Sequence, residues 1–266
     1  MKNIIIGLTY SLIIAIIAYK KEKLSKSGAI AAVVLGTSIF YFGGIISSAL
    51  MVAFFVSSSM ISIFNKKVEK KLESLHEKGS KRDYVQVFAN GGVALVCSII
   101  YFYTNDYIYM IAMAISFAAS TADTWASEIG VLSKKNPISI ITFKRIQNGM
   151  SGGVSILGTF SALCGSGFIA VIFIVLSYIL SKINENTFII LCVISIFGFL
   201  GAIIDSILGA TLQGSYLNEE EGIITEKKIS NGQRNKKIKG FDFINNDVVN
   251  ILSNILVVSL WLILMT

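Results

Sequence analysis

The sequence predicts an all-α, polytopic integral membrane bundle of about eight transmembrane helices, and three observations carry that expectation. Only 15% of the 266 residues are charged and 54% are hydrophobic, whereas soluble domains carry about 25% charge. Mean hydropathy is +0.71. Apolar runs recur along the whole chain at the length needed to cross ~30 Å of hydrocarbon, roughly 20 residues each, so 1–266 reads as a single membrane domain.

The runs fall at about 3–19, 27–43, 45–64, 86–103, 107–126, 152–180, 187–212 and 245–265. The first is followed, not preceded, by its charge (Lys20-Lys21-Glu22-Lys23), so it reads as a retained helix and not a cleaved leader. The second and third meet at Gly43-Gly44, a hairpin with almost no loop. The sixth would extend ~44 Å if straight. Its glycines (Gly149, Gly152, Gly153, Gly158) predict that the first turns form a re-entrant or cytoplasmic piece. Segment 65–84 is expected to hold a short charged helix, since Lys66/Lys70 and Glu69/Glu73 are spaced i,i+4.

Charge sets the expected orientation. Loops 20–27, 65–84, 131–148 and 213–244 carry 21 of the 23 Lys and Arg residues, and with eight spans all four lie on one face. The positive-inside rule makes that face cytoplasmic and both termini external, in the cell membrane if the owner is prokaryotic. The net charge of +7 is therefore a topology signal. The loops lack the interleaved aromatic residues of a nucleic-acid surface, so no nucleic-acid partner is expected. Cys97, Cys164 and Cys192 sit singly in apolar runs, and His76 stands alone in a charged stretch. That excludes a disulfide framework, His- or Cys-based zinc, and Ser-His-Asp chemistry.

The informative residues are the polar ones that membrane helices should avoid, because an Asp at a span centre costs about 2.5–3.5 kcal/mol on insertion scales. Ser116, Ser120, Asp123, Ser127 and Gly130 share one helical face. Gly198, Gly201, Asp205, Gly209 and Gln213 form a second stripe, Asn246, Asn250 and Asn254 a third with Asp247 beside it, and the fourth span opens with Gln86 and Asn90. With the expected topology, Asp123, Glu128, Asp205 and Asp247 all lie at the cytoplasmic ends of their helices. Carboxylates and amides without His or Cys suit a hard cation, Mg²⁺ above all, which takes one or two carboxylates plus phosphate oxygens and water. All four acids are metal candidates; that is more than one ion needs, leaving one free to orient Lys144 or Arg82. Donors for a phosphate are expected next door. Lys144-Arg145 precede Gly149-Met150-Ser151-Gly152-Gly153-Val154-Ser155, where glycines at a helix start expose backbone N–H groups to an anion.

The run Thr121-Ala122-Asp123-Thr124-Trp125-Ala126-Ser127-Glu128-Ile129-Gly130, with Ile141–Lys144, Gly149–Ser155 and Gly158-Thr159, resembles the transmembrane protein 19 family, long catalogued as a domain of unknown function. That family includes the chloroplast phytyl-phosphate kinase of plants. Arg82-Asp83-Tyr84, Gln86–Gly92, Asp205-Ser206 with Gly209-Ala210 and Gln213, and Asn246-Asp247 with Asn250 are similar to it too. The stretch Arg145–Asn148 and Met150 depart from its pattern, which bears on the geometry of that loop. The resemblance implies an isoprenoid-phosphate kinase-like phosphotransferase: a phosphoryl group passes from a nucleoside triphosphate, CTP or ATP, to a prenyl- or phytyl-type monophosphate in the membrane. On that reading Asp123, Glu128 and Lys144 are catalytic. Arg82, Asn90, Ser127, Arg145, Ser151, Gly152, Gly153, Ser155, Gln213 and Asn250 bind phosphate or complete the pocket. The rival class is a transporter or flippase of an anionic lipid or small anion, which should carry an inverted repeat and polar groups near the midplane. The sequence has no convincing repeat, and its polar groups lie to one side.

Overall fold

The computed structural model describes residues 2–64, 75, 77–79, 81–181 and 186–265. The expected short helix in 65–84, and His76, lie largely or wholly outside the described residues. Among these residues seven long helices build the molecule: α1 (Lys2–Lys20), α2 (Lys26–Phe64), α3 (Tyr84–Thr104), α4 (Tyr107–Gly130), α5 (Ile156–Ile179), α6 (Thr187–Thr211) and α7 (Asn246–Met265). Six of them, all but α4, are long and apolar enough to cross a membrane.

Helix α2 is broken at Gly44, whose backbone is non-helical with φ 71°. A side chain there would be strained, and glycine is free of that penalty. The two halves fold back on one another: a Cβ on Gly36 would lie 3.1 Å from Met51, and Lys23 Nζ hydrogen-bonds Ser62 Oγ near the far end. The sequence hairpin at Gly43-Gly44 is therefore present. Elsewhere capping punctuates the chain. Asp83 and Gln86 form a reciprocal capping box on α3, Asp106 caps α4, and Ser155 caps α5 by accepting from Gly158 N–H at 3.0 Å.

Helix α4 is the axle of the bundle. It is buried continuously from Met110 to Ala122, and its neighbours approach it through small residues. A Cβ on Gly198 of α6 would come within 2.5 Å of Ala118, and one on Gly165 of α5 within 3.1 Å of the Thr121 carbonyl. Close approach through Gly, Ala and Ser is how helices gain van der Waals contact in a bilayer, where hydrophobic burial gives no advantage. The α6 stripe foreseen from sequence thus faces α4 directly. The outer faces of α1 and α5 stay apolar and exposed, with Ile5, Ile17, Ile156 and Phe160 all uncovered, as a lipid-facing surface requires.

Two segments expected as loop or helix start are β structure. Gly153–Val154 (β2) pairs antiparallel with Ile138–Ser139 (β1), and α5 begins only at Ile156. The glycine run is therefore not the first turn of a helix. Segment 213–244 folds into a three-stranded sheet, Ile223–Thr225 (β4), Ser215–Asn218 (β3) and Lys236–Lys239 (β7) in that spatial order, plus the hairpin Ile229–Ser230 (β5) and Gln233–Arg234 (β6). One signal for it stood in the sequence. Asn231-Gly232 joins β5 to β6 with both residues at positive φ, the two-residue turn that matches strand twist. Lys239 Nζ donates to the Ala210 carbonyl at 2.8 Å, so the sheet closes the C-terminal end of α6, where a cation suits the helix dipole.

Candidate functional site

The four basic segments gather at one end of the bundle. Arg82 N–H donates to the Lys23 carbonyl and Glu226 N–H to the Leu75 carbonyl, Lys78 bonds Asp247, and Ser151 bonds Gln213. Three of these segments, all but 20–27, contribute to the wall of a cavity of about 480 Å³ that is otherwise lined from α4, α6, the starts of α5 and α7 and the 148–155 segment.

At its floor Asp123 of α4 and Asp205 of α6 lie within hydrogen-bonding range of each other. Asp205 is only 8% exposed and accepts from Ser253 Oγ at 3.0 Å. The Asn250 amide, oriented to donate, reaches the same carboxylate oxygen at 3.1 Å. Two carboxylates this close repel unless a proton or a cation lies between them. Below them a polar column continues into the bundle: Asn254 accepts from Ser116 Oγ at 2.8 Å and donates to Ser120 Oγ at 3.2 Å. The three stripes read from sequence therefore converge.

The glycine segment forms one wall of the cavity. Ser151 Oγ donates to Gln213 Oε1 at 2.7 Å. Gly152 sits at φ 79°, where a Cβ would collide with Ala210, 2.8 Å from its Cα. The wall is thus locked onto the end of α6. Its Ser151 and Gly152 N–H groups make no backbone hydrogen bond among the described residues, and a positive-φ glycine after such a residue makes the concave donor arrangement that accepts anions. Gly152→Ala should cost ~2–4 kcal/mol from overpacking and left-handed strain, read as a fall in melting temperature.

Not every expected residue arrives. Asp123, Ser127, Glu128, Ser151, Gly152, Gly153, Ser155, Asp205 and Asp247 line the cavity. Gln213, 1% exposed, and Asn250 stand behind it. Lys144 and Arg145 do not line it; both are exposed. The strand Ile138–Ser139 explains this, because it pairs with Gly153–Val154 along one edge and with Lys144–Arg145 along the other. Ser139 N–H donates to the Lys144 carbonyl at 2.8 Å. A strand therefore separates those cations from the glycine wall. Arg82 and Asn90 lie elsewhere too: Arg82 rests on the Phe54 and Phe55 rings, 5.6 and 5.3 Å from their centroids, and Asn90 donates to the Gln86 carbonyl. The four acids do not form one cluster, and no group of three or more His, Cys, Asp or Glu is placed to hold a metal among the described residues.

Two groups escaped the sequence reading. Lys78 is the one Lys or Arg among the described residues lining the cavity. It bonds Asp83 at 2.7 Å and Asp247, whose side chain is 3% exposed. Burial works against the charge on Lys78, but its hydrogen bonds to Asp247 and Asp83 hold its pKa above the ordinary lysine value. Burial likewise pulls the Asp83 carboxyl upward, yet the bonds from Lys78 and from Gln86 N–H keep it below the usual range. The Lys78–Asp83 contact therefore stabilises the fold above the unfolded carboxylate pKa of about 4. It is lost as pH falls through the lower folded value. Glu226, delivered by the sheet segment, also lines the cavity. Neither residue carries a local signal, since nothing in its neighbours sets it apart from a solvated charge.

Fold and site together define a polytopic helical membrane protein with an acid-floored polar cavity at its basic end. Residues 9–258 match the family described as Integral membrane protein DUF92, and the chain belongs to that family. It is 30% identical to Protein PGR of Arabidopsis thaliana, over 96% of this chain and 93% of the relative. It is 28% identical to an uncharacterized membrane protein of Methanocaldococcus jannaschii, over 82% of this chain and 84% of the relative. It is 27% identical to the chloroplastic Protein VTE6 of Arabidopsis thaliana, over 86% of this chain and 62% of the relative. No solved structure matches.

Proposed function

We propose that this protein is a Mg²⁺-dependent membrane kinase that transfers a phosphoryl group from CTP or ATP to a prenyl- or phytyl-type monophosphate at the cytoplasmic interface. The observation that carries the reading is the Asp123–Asp205 pair in the same cavity as the unbonded Ser151 and Gly152 N–H groups. Four of the motifs that resemble the transmembrane protein 19 family, at 121–130, 149–155, 205–206 and 246–247, line that cavity.

The residues fit Mg²⁺. Two facing carboxylates are a typical protein share of its shell, with phosphates and water completing it, so the absence of a larger acidic cluster is no obstacle. Asp123 and Asp205 would hold the ion, which when bound neutralises charge on donor phosphate oxygens. Glu128, Asp247 and Glu226 stand further round the wall. The N–H groups at Ser151–Gly152 and at the capped start of α5 would donate to phosphate oxygens, and Lys78 takes the role expected of Lys144. An oxygen of the acceptor monophosphate attacks the terminal phosphorus, a new P–O bond forms, and the bond to the leaving nucleoside diphosphate breaks. The acceptor oxygen is already anionic near neutral pH, so no strong general base is needed.

The direct test is transfer from labelled CTP and ATP to a series of prenyl monophosphates by the purified chain. A labelled diphosphate that disappears with chelator is expected; a folded protein that transfers to none of the series sinks the reading. The eight-span topology is testable in a background lacking Cys164 and Cys192. Asn105→Cys should react with an impermeant thiol reagent on intact cells, whereas Lys144→Cys and Lys228→Cys should react only after permeabilisation. The reverse pattern would invert the orientation.

A further inference from the structure

A second, smaller cavity of about 70 Å³ lies between α1, α2, α3 and α4. Its walls are almost wholly apolar, contributed by residues such as Ile14, Leu35, Met51 and Phe117. Arg82 is the only charged residue among the described ones that line it, and Gln86 lines both this slot and the acid-floored cavity.

The slot has a direction. Leu24 and Arg82 lie just before α2 and α3 begin, at the level of the basic end. Leu35 is nine residues into α2 and Gly91 seven into α3, so the slot descends ~10–14 Å along the helix axes at 1.5 Å per residue. It therefore has a cationic head at the interface, an apolar shaft running inward, and a shared wall with the phosphate cavity. Glu128, which lines that cavity, acts electrostatically on Arg82 across the partition.

We infer that this slot binds the first carbons of the hydrocarbon chain of an anionic, phosphate-headed lipid substrate, with Arg82 contributing to its head-group charge. The inference rests on the phosphate-acceptor reading above and adds where the chain enters and which residues set its accepted shape. A monophosphate lying at Gln86 would place its phosphate toward the acid-floored cavity and its chain among Ala32, Leu35 and Gly91. Each methylene buried in such a shaft is worth about fourfold in affinity.

The test uses binding, not turnover. Affinities of n-alkyl monophosphates from butyl to dodecyl are measured by calorimetry on the purified full chain, in one detergent, so that micelle partitioning is common to every variant. In the wild type affinity should rise about fourfold per methylene over the first carbons. Ala32→Phe should flatten that rise, so that affinity gains little from butyl to dodecyl. Gly91→Ala, whose Cβ would lie 2.5 Å from Leu35 Cδ2, should flatten it less and serves if the larger side chain disturbs folding. Arg82→Gln should weaken the whole ladder by a common factor of about ten. Equal chain-length slopes in the wild type and both filling variants would overturn the slot, and an unchanged ladder in Arg82→Gln would overturn the head-group assignment. The kinase reading fails separately. An intact, slot-dependent ladder without phosphoryl transfer supports the slot and sinks the kinase, whereas transfer with equal slopes does the opposite.

Discussion

Asp123→Asn is expected to lower phosphoryl transfer by on the order of 10³-fold while leaving the fold intact, the scale of loss when a preorganised charge is removed from a transition state. The substitution keeps the size and one ligand oxygen and removes the charge. An amide there can donate to Asp205, which lies within hydrogen-bonding range, so the repulsion between two carboxylates is replaced by a hydrogen bond. Melting temperature should hold or rise. Asp205→Asn should behave alike in activity but cost some stability, since its carboxylate accepts from Ser253 and from the Asn250 amide. If these acids only join helices, activity and stability move together. A folded, fully active Asp123→Asn protein would end the kinase assignment.

Lys78→Ala should reduce transfer by about 10²- to 10³-fold, as loss of a phosphate-binding cation does. It should also lower stability by ~1–3 kcal/mol, because Asp247 is left buried without its cation. The two effects separate in the double variant Lys78→Ala/Asp247→Asn. Removing the orphaned charge should restore melting temperature and leave transfer low. If activity returns together with stability, Lys78 serves only as a strut between α7 and the start of α3. Lys144→Ala, at an exposed position outside the cavity, should be close to silent.

The acid half of the site was legible because helical periodicity is local information. Spacing alone aligned Ser116, Ser120 and Asp123, and separately Gly201, Asp205 and Gln213. A membrane helix has no inexpensive place for an Asp except against another polar face. Packing then agreed: Gly198 and Gly201 bring α6 onto Ala118 and Ala119, which sets Asp205 opposite Asp123. The Gly43-Gly44 break was equally local, resting on one residue whose φ excludes helix.

The cations were not legible, because strand pairing and loop placement are decided between distant residues. Lys144 and Arg145 adjoin the glycine run in sequence, yet β1 pairs between them and that run and turns them outward. Lys78 reaches Asp247 across 169 positions, and Glu226 enters the cavity on a segment tied to Leu75 by two hydrogen bonds, from its own N–H and from Thr225 Oγ1. Composition and period by themselves determined that this chain is a helical membrane bundle with carboxylates aligned on particular helix faces. Only the tertiary structure decided which cation meets those carboxylates and that the basic end is built partly of β-strands. A helix face is fixed by neighbours three and four residues away, whereas an ion pair between loops exists only once the elements carrying them have docked.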